Sequence, residues 1–235
     1  MTERVAAGSP QPRARIAGVV YLLYFLTAIL AEVFMKGIVV PGDAATTAIN
    51  ILAHEALFRL GFATGLIATA WYIALTALFY GLFQPVNRSL SLLAAFFGLV
   101  GCAIQAIASL FQFAPSIILG DAQSFSVFNP EQVQALALMF LKLRAQVTNI
   151  SLVFFAFYCL LIGYLVFKST FLPRILGALM MVAGLGWLSF LSPHLVRSLS
   201  PYIQILGFLA ELSLMLWLLV KGVNRSAMAG AGGPK

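Results

Sequence analysis

Charge is scarce in this chain. Only 9% of its 235 residues are charged, against the roughly 25% usual in soluble domains, and the shortfall excludes an ordinary water-soluble globule. Histidine and cysteine are scarcer still, with two of each. His54 and His194 are the only histidines, Cys102 and Cys159 the only cysteines, and no HxxxH or CxxC spacing occurs, so no metal site is expected. Both cysteines fall inside apolar runs at different depths and read as small core residues rather than a disulfide. Reaction motifs are missing as well: there is no nucleophile elbow, phosphate loop, catalytic carboxylate pair or haem-type histidine pair. Gly98 with Gly101, and Gly184 with Gly186, lie inside apolar runs with no preceding strand, and read as packing glycines. Neither a cofactor nor an enzymatic activity follows from motifs.

What is abundant is apolar surface. Hydrophobic residues make up 62% of the chain and mean hydropathy is +1.00. A hydrocarbon core of about 30 Å needs about 20 apolar residues in helical form, and six runs approach that length: 16–35, 58–83, 90–113, 147–167, 175–191 and 201–221. The expected fold class is all-α, a polytopic membrane bundle of six transmembrane helices with short interfacial helices in the outer loops. Residues 16–222 form the transmembrane domain, with a disordered arm at 1–15 and a disordered tail at 223–235. The first run is too long for the apolar part of a signal peptide. The net charge of +7 comes from 14 basic residues concentrated in the arm, the connections and the tail, where topology accounts for them and nucleic acid is not needed. With the termini inside, nine basic residues face the cytoplasm against five outside (Lys36, Arg59, Lys142, Arg144, Arg197). The positive-inside rule then places both termini in the cytoplasm of a cell whose inner or plasma membrane holds the protein.

One acid stands apart. Glu211 lies ten residues from both Pro201 and Lys221, about 15 Å from either end of the last span at 1.5 Å per residue. No basic residue stands three or four positions away. An acid at that depth is expected to stay neutral or strongly hydrogen-bonded and to face other helices, and counting depth from each span's start offers Thr27, Thr69, Tyr72, Gln105 and Tyr158 as partners. Interhelical glue is its plain structural role and a proton relay or ligand contact its functional one. A second polar group lies between the first two spans. Asp43 caps a short helix on which Asn50 and His54 share a face, and Glu55 and Arg59 form an i, i+4 pair. Glu32 and Lys36 have the same spacing. Histidine can act as a general base near neutral pH, yet no nucleophile accompanies it, and a capping segment with a hydrogen-bonded His54 is the plain alternative. Small residues recur at Gly61, Gly65, Thr69, Ala77 and Gly81, and again at Ala94, Gly98, Cys102 and Ala106, a pattern that lets helices approach. The candidate functional residues are therefore Glu211, Asn50, His54, Glu55, Arg59 and Gln105.

Particular runs carry a resemblance: VVPGDAATTAINILAHEALFRLGF (39–62), QPVNRSLSLLAAFF (84–97), SLVFFAFYCLLIGYLVFKSTFLPRILGALM (151–180) and ELSLMLWLLVKGV (211–223). Together they resemble the bacterial membrane family known as domain of unknown function 4386. The most specific signals are the turn Leu172-Pro173-Arg174-Ile175-Leu176-Gly177, the turn Pro85-Val86-Asn87-Arg88, His54-Glu55 and Glu211. The resemblance implies an all-helical integral membrane protein with no established activity. It also implies an acid and a histidine before the fourth span, where this chain has Lys142 and Arg144, so any chemistry of that pair is lost here. A non-enzymatic accessory protein, or one that binds a lipid, a small molecule or a protein subunit, is the leading functional expectation. A small proton-coupled secondary transporter using Glu211 is the alternative, and an interfacial enzyme using His54 and Glu55 the lesser one.

Overall fold

A computed structural model describes residues 10–121 and 125–224. Most of the arm and the tail expected to be disordered, residues 1–9 and 225–235, lie outside the described residues, as does Ser124 of the loop after the third span. Among the described residues there are seven α-helices and no strand: α1 Pro10–Met35, α2 Ala44–Ala53, α3 Glu55–Phe83, α4 Arg88–Gly120, α5 Pro130–Lys168, α6 Arg174–Trp187 and α7 Pro193–Val220. A 3-10 turn, Leu188–Leu191, extends α6. All but α2 belong to spans long and apolar enough to cross a membrane, which gives the expected six. Large apolar side chains turned outward, among them Ile175, Leu185, Ile205 and Val220, need a lipid bilayer around them.

Helix boundaries depart from the sequence expectation mainly at proline. The third span was expected to end near Phe113, before Pro115, and the sixth to begin at Pro201. Instead α4 runs through Pro115 and α7 through Pro201. A proline costs an interior helix one backbone bond, and within a membrane span that loss is tolerated when local adjustments or neighbours answer the freed carbonyl. Similarly α1 starts at Pro10, ahead of Ile16, because the N–H groups of a first helical turn have no acceptor within the helix, so a proline there forfeits no backbone bond.

Caps follow the sequence closely. Asp43 Oδ1 accepts from Thr46 N at 2.9 Å and Oδ2 from Thr46 Oγ1 at 2.6 Å, and these bonds, the hydroxyl's first, hold the Asp43 carboxyl below its usual value. Asn129 and Gln132 exchange bonds of 2.8 and 3.0 Å at the start of α5, a reciprocal cap.

The helices contribute to two compact units. The first comprises the described parts of 1–22, 72–101 and 152–235. Here α5 and α6 cross at a pair of glycines: a Cβ on Gly163 would lie 2.7 Å from the Gly177 carbonyl, and one on Gly177 within about 2.5 Å of the Gly163 carbonyl. Gly184 meets the Ala156 carbonyl at 2.9 Å, and Gly18 of α1 meets the Leu219 backbone of α7 at 2.6 Å. Gly98, from the expected stripe, packs on Thr76 and Tyr158.

The second unit comprises 23–71 and the described part of 102–151. Its core joins Met35, Ile38, Ile51, Phe58 and Leu141, flanked by ring contacts of Phe62 with Phe113 (4.9 Å) and Phe111 with Phe140 (6.1 Å). Gly61 abuts Met35, whereas Gly65, like Gly81 of the first unit, faces open space. The expected stripe on α3 is therefore only in part a packing surface.

Because the Gly163 and Gly177 contacts are with backbone, no side-chain rotation relieves an added group. Gly177→Val is expected to lower stability by at least the ~1–3 kcal/mol of ordinary overpacking, read as a lower melting temperature in detergent, while Gly65→Val leaves the melt within experimental error.

Candidate functional site

The geometry around Glu211 begins at the helix ends. Gln11 of α1 donates to the Lys221 carbonyl at 3.0 Å and accepts from Val223 N at 3.1 Å. Gly222, with φ +68, turns the chain there in a conformation that suits glycine. That clasp fixes the register of α1 on α7. Ten residues inward from Gln11 is Tyr21, and ten back from Lys221 is Glu211. Their side chains meet: Tyr21 Oη donates to Glu211 Oε2 at 2.8 Å. Gly18, one turn from Tyr21, and Leu219, two turns from Glu211, bring the two backbones together, so the phenol reaches the carboxyl.

Tyr21 was not among the expected partners. Depth had been counted from Ile16, which points to Thr27, whereas the helix begins at Pro10 and is pinned by Gln11. Thr27 bonds the Leu23 and Tyr24 carbonyls of its own helix, and Thr69 the Gly65 carbonyl of its own. Gln105 belongs to the second unit. The two expected tyrosines pack on other rings. Tyr72 and Tyr158, both buried, stand 5.8 Å apart between ring centroids, and Tyr72 meets Phe155 edge-on at 4.9 Å. Phe79 meets the Tyr21 ring edge-on, with 5.9 Å between ring centroids. Glu211, itself half-buried, is thus held by a phenol donor at the edge of an aromatic cluster.

The other candidate residues fall in the second unit and do not form one constellation. His54 ends α2 and breaks it from α3, with φ −122 and ψ 36, and its Nδ1 lies 3.1 Å from the Asn50 carbonyl. Asn50 donates to the Gly37 and Ile38 carbonyls at 3.3 and 3.2 Å, closing the turn where Gly37 adopts φ +79. Glu55 and Arg59 form their predicted pair at 2.5 Å, both well exposed. Gln105 accepts from Ser151 Oγ at 3.0 Å. The expected Glu32–Lys36 pair is replaced by a contact of 3.8 Å between Glu32 and Arg144, since α5 continues unbroken past this level and brings a guanidinium within reach.

Asn50 and His54 do share a surface. With Lys36 and Gly37, and with the apolar Val33, Phe34, Ile38 and Leu57, they line a groove of about 390 Å³. Sequence reading missed Lys36 as its companion, although the Gly37 turn that places it was a legible signal. Among the described residues no group of three or more histidine, cysteine or carboxylate side chains could hold a metal ion.

Fold and site together define a multi-pass, all-α membrane protein. The chain matches the family described as domain of unknown function (DUF4386) over residues 16–222, and it belongs to that family. It is similar to an uncharacterized protein of Archaeoglobus fulgidus, 27% identical over 146 residues that cover 61% of this chain and 72% of the relative. No solved structure matches.

If the Tyr21–Glu211 bond is interhelical glue, a double-mutant cycle of Tyr21→Phe and Glu211→Leu should show a coupling of about 0.6 kcal/mol, typical of such bonds in membranes. Glu211→Gln, which keeps the acceptor, should melt close to the parent. A coupling of zero would mean that the bond does not hold α1 to α7.

Proposed function

We propose that the protein is a non-enzymatic membrane protein that binds a lipid or small amphipathic molecule. The observation that carries this reading is the groove of the second unit, lined by the polar Lys36, Asn50 and His54 together with the apolar Val33, Phe34, Ile38 and Leu57. Its volume of about 390 Å³ lies in the range of ligand sites, which are mostly apolar with a few placed polar groups. The same geometry speaks against the interfacial enzyme. His54 turns Nδ1 onto the chain, and Glu55 is taken up by Arg59, so neither supports the other as a base.

The second reading, a proton-coupled transporter, rests on Glu211 at its phenol partner in an otherwise apolar span. One set of experiments separates the two. Native mass spectrometry from mild detergent is expected to show a bound lipid or small molecule, lost in Leu57→Trp, which fills the groove. Retention of that mass in the variant would reject the groove as its site. Proton flux in liposomes that is present in the parent and abolished by Glu211→Gln would favour transport over binding.

For topology, we infer cytoplasmic termini in a bacterial inner or plasma membrane from the distribution of Lys and Arg. A reporter that fluoresces only in the cytoplasm, fused after Lys235, is expected to be bright. The same reporter in the connection between α1 and α2 should be dark, and the reverse pattern would invert the topology.

A further inference from the structure

One row of α4 is polar in an apolar span. Gln105, Ser109, Gln112 and Ser116 recur at steps of four, three and four residues, which puts them on one face, in a line about 16 Å long at 1.5 Å per residue. The row is turned inward. Ser109, Gln112 and Ser116 are only 7%, 5% and 7% exposed, whereas Leu110 is 66% exposed. On α5 of the same unit, Arg144, Thr148 and Ser151 follow one another at steps of four and three, and the bond from Ser151 to Gln105 sets the two rows against each other.

A row that served only to join helices would pair its own groups, as Gln105 and Ser151 do. Ser109 Oγ answers the Gln105 carbonyl of its own helix at 3.2 Å, and other groups of the two rows have no such answer. Among the described residues, Ser116 Oγ and Thr148 Oγ1 are buried without a hydrogen-bond partner, and the Gln112 side chain of the same row is only 5% exposed. Pro115 lies inside the helix and brings no N–H to the Phe111 carbonyl, so that acceptor lacks its helical donor. Donors and acceptors left unanswered at this depth are strongly disfavoured, and the usual remedy is a buried water bridging roughly two to four such groups.

We propose that this face of α4 lines a hydrated seam in the second unit, a site for water and for small neutral solutes that both donate and accept hydrogen bonds. Ions are poor occupants. The α4 row bears no formal charge, and Arg144, the nearest charge on the facing row, is engaged with Glu32, so an entering ion finds no free counter-charge to replace its hydration. The inference is independent of the groove and of Glu211, which involve other residues.

Cysteine accessibility tests it. In a background with Cys102→Ala and Cys159→Ala, single Gln112→Cys, Ser116→Cys and Leu110→Cys variants in liposomes are treated with a small water-soluble methanethiosulfonate. Thiolate is the reacting form and needs a wet surrounding, so Gln112→Cys and Ser116→Cys are expected to react at least about tenfold faster than Leu110→Cys. Equal rates overturn the seam. Should those variants fail to fold, the unaltered protein in bilayers gives the same answer: magnetisation transfer from water to the Gln112 side-chain amide in solid-state NMR is expected to be rapid. Transfer as slow as that of buried core amides would overturn the proposal.

Discussion

A polar group carried into hydrocarbon must be met by another, because no water stands by to replace it. In the first unit that demand falls hardest on Glu211, and the answer is built from the helix end inward. Gln11 clasps the end of α7 through two backbone groups, Gly18 removes the side chain that would hold α1 off Leu219, and Tyr21 then arrives at the carboxyl. Each step depends on the one before it. A longer residue at 18 would separate the backbones, and a slip of one residue at Gln11 would rotate Tyr21 by about 100° around its helix, away from α7.

Glycine serves two different purposes. At Gly163, Gly177 and Gly184 the contact is with backbone, so the absent side chain is itself the docking surface by which α6, only 14 residues long, is held on α5. At Gly37, Gly42 and Gly222 the reason is a positive φ, and these glycines end helices or turn the chain. Gly65 and Gly81 meet neither condition. Small size is a permission for close approach, and a stripe of small residues does not say which of its members use it.

The number of spans, their order and the side-chain caps at Asp43 and Asn129 were legible in the sequence because they depend on composition and on neighbours a few residues away. Asp43 and Asn129 find their partners within three positions. What was not legible is register between distant segments. The Tyr21–Glu211 bond joins residues 190 positions apart, and only the contact of Gln11 with Lys221 fixes where depth should be counted from. The same limit explains Glu32, whose local partner Lys36 was visible and whose actual neighbour Arg144 was not. Pro115 and Pro201 misled in the other direction, since the rule that proline ends a helix is weaker where alternatives to helix are costlier than one lost bond.

The groove shows how capping can leave a surface with spare hydrogen-bonding capacity. The C-terminal end of α1 at Met35 and that of α2 at Ala53 both present carbonyls without helical donors. Asn50 answers two carbonyls of the turn after α1, and His54 reaches back to α2 through one ring nitrogen. Lys36 brings positive charge to the negative end of α1, where it is favoured. Once these debts are met, Nε2 of His54 and the ammonium of Lys36 remain as polar atoms beside Val33, Phe34, Ile38 and Leu57. Helix C-termini temper the lysine charge, so the wall suits a polar head that hydrogen-bonds more than one that must be neutralised. That balance is why the binding proposal rests on amphipathic shape rather than on charge.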